Sequence, residues 1–291
     1  MSQEFVLVTG STGTVGTEVI TALVNAGLPV RAAYNSSRSQ AKLLALGVAD
    51  TVQLDMTDAS SLDAAFAGVS RAFLLVPFTP QIVTLGTALI DAAQRASVAH
   101  VVRLSAFGAS PTAPILAGQW HNQLDDHLKA SGLPHTILQP SFFMQNFITF
   151  YGSMIKEQNA LYLPYGDAPV NWVDARDIAA VTATCLQQPT PHLGKTYVVT
   201  GGQALSTADI AALFTAALGR AIAYHDIPES AATDAMRQMG TPEILVQALT
   251  ELNSIAKAGY SAMISPDVET VTGKPPILFS QFIDDYKAAW Q

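Results

Sequence analysis

The chain has 291 residues, 49% of them hydrophobic and 13% charged, with a formal net charge of −8. That is enough chain for one large domain or two small ones with a sizeable core. The acidic balance argues against a nucleic-acid groove, which needs clustered Lys and Arg, and no uninterrupted apolar stretch reaches membrane-spanning length. Phe5–Thr9 is a short apolar run with β-branched members and predicts a buried strand. Gly10-Ser11-Thr12-Gly13-Thr14-Val15-Gly16 follows at once, and a helical pattern over Thr14–Ala26 begins inside it. Further strands are expected at Val30–Tyr34, Thr51–Leu54, Ala72–Val76, Val101–Leu104 and His135–Gln139. Helices are expected between them at Ser39–Leu46, Ser60–Phe66, Pro80–Ala96 and Gln119–Ala130. This alternation predicts an α/β fold with a doubly wound parallel sheet.

After Pro140 the rhythm breaks. Met144–Glu157 reads as a helix, Leu161–Leu163 and Val170–Val173 as short strands, and Asp174–Gln187 as a helix returning to the first domain. Thr196–Thr200 reads as a strand, Ser206–Leu218 as a helix capped by Ser206 and closed by Gly219, and Ala221–Asp226 as a strand. Helices are then expected at Glu229–Met239, Pro242–Ala258 and Ser280–Ala289. The expected division is a dinucleotide-binding domain over 1–150, with 170–200 returning to it, and a smaller α+β lobe from 151–169 and 201–291. The lobe is expected to close one side of a cleft at the carboxyl ends of the strands.

The strand, glycine loop and helix together form a dinucleotide signature. Gly10 permits the tight turn, Gly13 lets a phosphate approach the backbone, and Gly16 lets the helix pack closely; the amides of Thr12, Thr14 and Val15 face the pyrophosphate. An NAD site usually carries Asp or Glu after the second strand. Here the chain reads Asn35-Ser36-Ser37-Arg38, which suits a 2′-phosphate and so NADP(H). The bland alternative for Arg38 is a solvated residue at a helix start. Asp55 is placed to reach the adenine edge, or else is a simple turn residue. Pro77 and Phe78 after the fourth strand, and Ser105 after the fifth, are expected against the cofactor, with Phe107 on the substrate side.

In these residues the chain resembles the NmrA-like branch of the atypical short-chain dehydrogenase/reductases. The stretches that carry the likeness are Val8–Gly16, Leu104–Gly108, Ser131–Pro140 with Phe142–Asn146, Val173–Ala179, Gly194–Tyr197 with Thr200-Gly201, and Gly273–Pro276. The resemblance implies a Rossmann-like domain with a smaller C-terminal lobe. It also implies NADPH-dependent reduction of quinones or triphenylmethane dyes, or else a redox sensor that binds the dinucleotide without turnover. The Tyr and Lys pair of ordinary short-chain dehydrogenases is absent after Ser105. Where the group keeps a His-x-x-x-acid pattern, this chain has His121 and Asp125, one helical turn apart. His121 is then a candidate donor of a hydrogen bond or proton to the reduced acceptor, with Asp125 orienting it. Alternatively the two form a plain helix-surface or interdomain hydrogen bond.

Phe142, Phe143, Met144 and Asn146, with Tyr165 and Trp172, are candidate walls of a flat apolar pocket, or equally core. Asp174 and Asp177 read as helix-start residues rather than a paired-carboxylate site. Cys185 reads as a buried structural thiol, and the histidines lack metal-ligand spacing. The leading expectation is an NADPH-dependent oxidoreductase acting on a quinone-like or other conjugated acceptor. Neither nucleic acid nor membrane is an expected partner, a homodimer is the expectation from base rates, and no charged and apolar leader precedes the first strand, so the expected compartment is the cytoplasm.

Overall fold

The computed structural model describes residues 4–291. The first part of the chain runs β1 (Phe5–Val8), α1 (Thr14–Asn25), β2 (Val30–Tyr34), α2 (Gln40–Ala45), β3 (Asp50–Gln53), α3 (Ala59–Phe66), β4 (Val69–Leu74), α4 (Ile82–Arg95), β5 (His100–Leu104), α5 (Leu116–Ala130) and β6 (His135–Pro140). The middle follows with β7 (Phe142–Phe143), α6 (Asn146–Thr149), α7 (Gly152–Gln158), β8 (Ala160–Leu163), β9 (Val170–Val173), α8 (Ala175–Gln187) and β10 (Lys195–Val199). The remainder contains β11 (Ala204–Leu205), α9 (Thr207–Leu218), β12 (Ala223–Asp226), α10 (Glu229–Gln238), α11 (Glu243–Lys257), α12 (Asp267–Thr272) and α13 (Phe279–Asp285).

Seven strands form one sheet in the order β10-β6-β5-β4-β1-β2-β3, a Rossmann-like arrangement. β1 pairs in parallel with β2 on one side and β4 on the other, so the direction of winding reverses at β1. A ligand crevice at the carboxyl ends is expected at such a point. The core strand residues Val6, Leu7, Val8, Ala72, Phe73, Val101 and Val102 are fully buried, as strands covered on both faces require.

The chain forms two compact units. One holds the residues up to Ala113 with Gly118–Gln139 and Ala175–Val198; the other holds Pro114–Ala117, Pro140–Asp174 and Val199–Gln291. The chain leaves the first unit after Gln139, earlier than a boundary at residue 150, and re-enters it through α8, which packs on α1. The second unit has its own aromatic core. Phe147 meets Trp172 edge-on at 4.9 Å and Phe214 meets Trp290 at 4.8 Å, joined by Phe279 and Phe282. α9 begins with a reciprocal capping box between Ser206 and Asp209 and ends on left-handed Gly219.

Two element expectations need correction. Met144–Glu157 is not one helix. The Met144 amide bonds to the Val173 carbonyl, which follows Phe142 and Phe143 pairing as a strand with Trp172 and Val173. Further on, the Phe147 carbonyl accepts the Trp290 indole N–H at 2.8 Å, and the Tyr151 amide reaches back to Asn146, so the helix breaks before Gly152. β4 spans Val69–Leu74 rather than Ala72–Val76, because the Thr9 hydroxyl takes over the Leu75 amide at 2.8 Å and ends the ladder.

Candidate cofactor and active site

The three glycines of the first turn are needed for different reasons. Gly10 has φ +66°, and a Cβ there would come within 2.6 Å of the Leu75 side chain. A Cβ on Gly16 would stand 2.1 Å from the Gly10 carbonyl oxygen, so α1 can cross the loop only with glycine there. Gly13 is different. It is the N-cap of α1 at φ −86°, and a Cβ would meet only the Gly10 oxygen at 3.4 Å. Neither the backbone nor the packing requires glycine at 13, but a ligand pressed against the loop would.

The helix start is left open for such a ligand. No side chain caps α1, so its first-turn amides, Thr14, Val15 and Gly16, have no intrahelical acceptor and carry the positive end of the helix dipole. Thr12 and Gly13 are exposed and Thr14 half-buried, while the Val15 side chain is buried and only its backbone can serve. The loop is braced from behind by Ser11 Oγ donating to Val8 O at 2.7 Å and Thr17 Oγ1 donating to Gly13 O at 2.9 Å. These residues fit a dinucleotide pyrophosphate.

Beside the loop lies a cavity of about 240 Å³. Gly10, Thr12, Asn35, Asp55 and Pro77 line it, as does Tyr34, which the sequence reading did not single out; Leu54, Met56 and Leu85 supply apolar wall. Asp55 Oδ1 accepts both the amide and the hydroxyl of Thr57, at 2.8 and 2.6 Å, and these bonds hold its carboxyl below the usual carboxylate range. Asp55 is thus a turn residue and a cavity residue at once. Asn35, Ser36, Ser37 and Arg38 are all exposed where β2 ends, and Arg38 makes no ion pair among the described residues. Phe78, 39% exposed, rests on Trp120 with ring centroids 5.8 Å apart.

A second polar group sits where β5 meets α5. Arg103 Nη1 donates to Asp125 Oδ1 in a buried ion pair, and Ser105 Oγ donates to Asp125 Oδ2 at 2.7 Å. Arg103 Nη2 lies 3.2 Å from His121 Nδ1. Burial pushes the Asp125 carboxyl up, against the pull of Arg103 and Ser105, and burial pushes Arg103 down against the pull of Asp125. Burial and then the Arg103 charge push His121 down to about 3. The expected pair of His121 and Asp125 is therefore bridged by Arg103 rather than joined directly. The lowered value favours a neutral His121 ring near neutral pH. Ser105 is buried and its hydroxyl proton is committed to Asp125, which leaves its oxygen lone pairs as the part that could meet a cofactor. Arg103 is not among the residues that the motifs single out; its one signal in the sequence is a lone charge inside the run His100-Val101-Val102-Arg103-Leu104.

The aromatic wall divides. Met144, Tyr165 and Trp172 are each 2% exposed in the core of the second unit and are corrected to core residues. Phe142 packs on them, 5.3 Å from Trp172. Phe107, Phe143 and Asn146 keep partial exposure. Asp174 is buried and accepts from Gln145 Nε2 at 2.9 Å, and Asp177 is buried in the first turn of α8. Cys185 is buried and its thiol is pushed up to about 12, which makes it inert.

The chain is 40% identical over 285 residues to an NAD(P)H azoreductase of Xenophilus azovorans, covering 98% of this chain and 99% of that protein. Its structure superposes with a TM-score of 0.84 on an NADPH-dependent quinone oxidoreductase of Escherichia coli complexed with NADPH, at 23% identity over 97% of this chain and 99% of the other. It superposes with a TM-score of 0.82 on a Citrobacter triphenylmethane reductase complexed with NADP(H), at 21% identity over 97% and 99%. The model of the NmrA-like family matches residues 2–274, which include the glycine loop, the open helix start and the Arg103 group, and the chain belongs to that family.

Proposed function

We propose that this protein is an NADPH-dependent reductase acting on a flat, electron-poor acceptor of the quinone or azo kind. The observation that carries the reading is Gly13. It stands at an uncapped helix start beside a cavity, where the lack of a side chain leaves the loop amides open to a ligand. The loop amides hold the pyrophosphate, the cavity wall holds the adenosine, and Asn35, Ser36, Ser37 and Arg38 hold the 2′-phosphate. When bound, the nicotinamide supplies two electrons and one proton as a hydride, and water supplies the second proton that completes reduction of the acceptor.

The protein's part is to orient the reactants and exclude water. Phe78 with Trp120, and the half-exposed Phe107, are the aromatic surfaces that the first unit offers to a ring. His121 is the polar residue placed for the acceptor, and Asp125 acts behind it through Arg103. The azoreductase at 40% identity and the two reductase structures support this reading. Calorimetric titration with NADPH and NADH, then NADPH absorbance with quinones, azo dyes and triphenylmethane dyes, tests it. Selective NADPH binding with reduction of at least one acceptor class is expected. Binding without turnover across the panel would overturn the enzyme reading in favour of a sensor.

A further inference from the structure

The protonation of one ring in this group is decided by its neighbour. A guanidinium has only donors, so Arg103 Nη2 at 3.2 Å obliges His121 Nδ1 to present a lone pair. The ring proton then belongs on Nε2. Arg103 is itself held in place, because Nη1 is bound to Asp125 Oδ1 while Ser105 secures Oδ2. His121 Nε2 makes no hydrogen bond among the described residues and is not one of the protein's buried unpaired atoms, so it is open to a ligand.

We propose that Arg103 is a positioning residue that locks His121 in the Nε2–H tautomer, so that His121 offers a neutral hydrogen-bond donor to a lone-pair atom of the acceptor, a quinone carbonyl oxygen or an azo nitrogen. The substrate half of this inference rests on the reductase reading. No proton leaves His121. Its N–H stabilises the charge that gathers on the acceptor atom, and water delivers the balancing proton. The charged groups that face the ring are Arg103 on β5 and, beyond the guanidinium, Asp125 on the ring's own helix. Together with burial, Arg103 keeps the ring neutral. An acceptor whose reacting centre has no lone pair, such as the carbon of a cationic triarylmethane, gains nothing from this donor.

Two measurements on the full-length protein decide it. The first is nitrogen NMR of the ¹⁵N-histidine-labelled protein with NADP⁺, the His121 signal being assigned by its loss in His121→Gln. The expected spectrum has a protonated Nε2 and a bare Nδ1, unchanged from pH 8 to pH 5, and needs no Arg103 variant to be read. A proton on Nδ1, or a midpoint inside that range, overturns the tautomer lock. In Arg103→Met, Nδ1 loses the donor that obliges it to stay bare, so a mixture of the two neutral tautomers is expected, while burial still holds the ring below the ordinary histidine value. The second is steady-state kinetics of His121→Phe. A loss of about tenfold in kcat/KM with quinone and azo acceptors, and less than about twofold with a cationic triarylmethane dye, is expected. Equal losses overturn the assignment of the acceptor atom. Absence of all turnover in the unmodified protein overturns the reductase reading instead, and the NMR result still judges Arg103.

Discussion

Arg103 and Asp125 form an ion pair that water hardly reaches, at 1% and 2% side-chain exposure, with the end of β5 on one side and α5 on the other. Removing one partner strands a buried charge. Asp125→Ala should therefore lose about 3–5 kcal/mol of unfolding free energy in a denaturant titration. Arg103→Met combined with Asp125→Leu should lose much less than either single change. A double variant as unstable as Asp125→Ala would show that something other than the stranded charge sets the cost.

Gly13 and Gly16 should separate binding from folding. Gly13→Val keeps an ordinary backbone conformation and meets little protein, so its melting temperature should stay within a few degrees while NADPH affinity falls at least about tenfold. Gly16→Val drives a side chain into the Gly10 carbonyl and should destabilise the fold itself. Calorimetry on Gly13→Val gives the decisive reading, since unchanged NADPH affinity would remove the loop from the cofactor site.

Arg38 is exposed beside three small polar residues at the end of β2. Arg38→Ala should weaken NADPH by about tenfold or more and leave NADH within about twofold, because only the former carries a phosphate for the guanidinium to neutralise. Equal weakening of both would take Arg38 out of the phosphate site.

Acid should reach this fold through His100. Thr136 Oγ1 donates its proton to the His192 carbonyl at 2.7 Å, so it accepts from His100 Nε2 at 2.9 Å and leaves Nδ1 bare and buried. Burial, then the charges of His192, His135 and Arg71, lower His100 from 6.5 to about 4. The unfolded chain thus binds this proton first. The stability is fully present above pH 6.5 and is lost as the pH falls toward 4, a difference worth roughly 3 kcal/mol. His121 acts in the same direction. Unfolding free energies measured from pH 7 to pH 4 should fall, and should fall less in His100→Asn. A slope unchanged by that substitution would assign the acid sensitivity to other groups.

Removing the imidazole should affect turnover and spare binding. His121→Ala is expected to lower kcat with a quinone while NADPH affinity stays within about twofold, because no described contact ties His121 to the glycine loop or its cavity. Untouched turnover would reduce His121 to a structural partner of Arg103.

The residues alone determined the local elements and the dinucleotide signature. β1, the glycine turn and α1 follow from an apolar run, three spaced glycines and a helical pattern, all of which act over neighbouring residues. The absence of Asp or Glu after β2 could be read the same way. What only the tertiary structure decided depends on partners distant in sequence. Trp172 and Tyr165 look the same in a sequence whether they line a pocket or fill a core; Phe147, Phe214 and Trp290 make them core. The helix expected over 144–157 fails because Trp290, at the far end of the chain, takes the Phe147 carbonyl. Ser105, Asp125 and His121 acquire their roles from Arg103, a charge whose burial inside a strand is satisfied only across α5. Short-range patterns determine where the backbone turns, whereas burial and the pairing of polar atoms across the fold determine what each side chain is free to do.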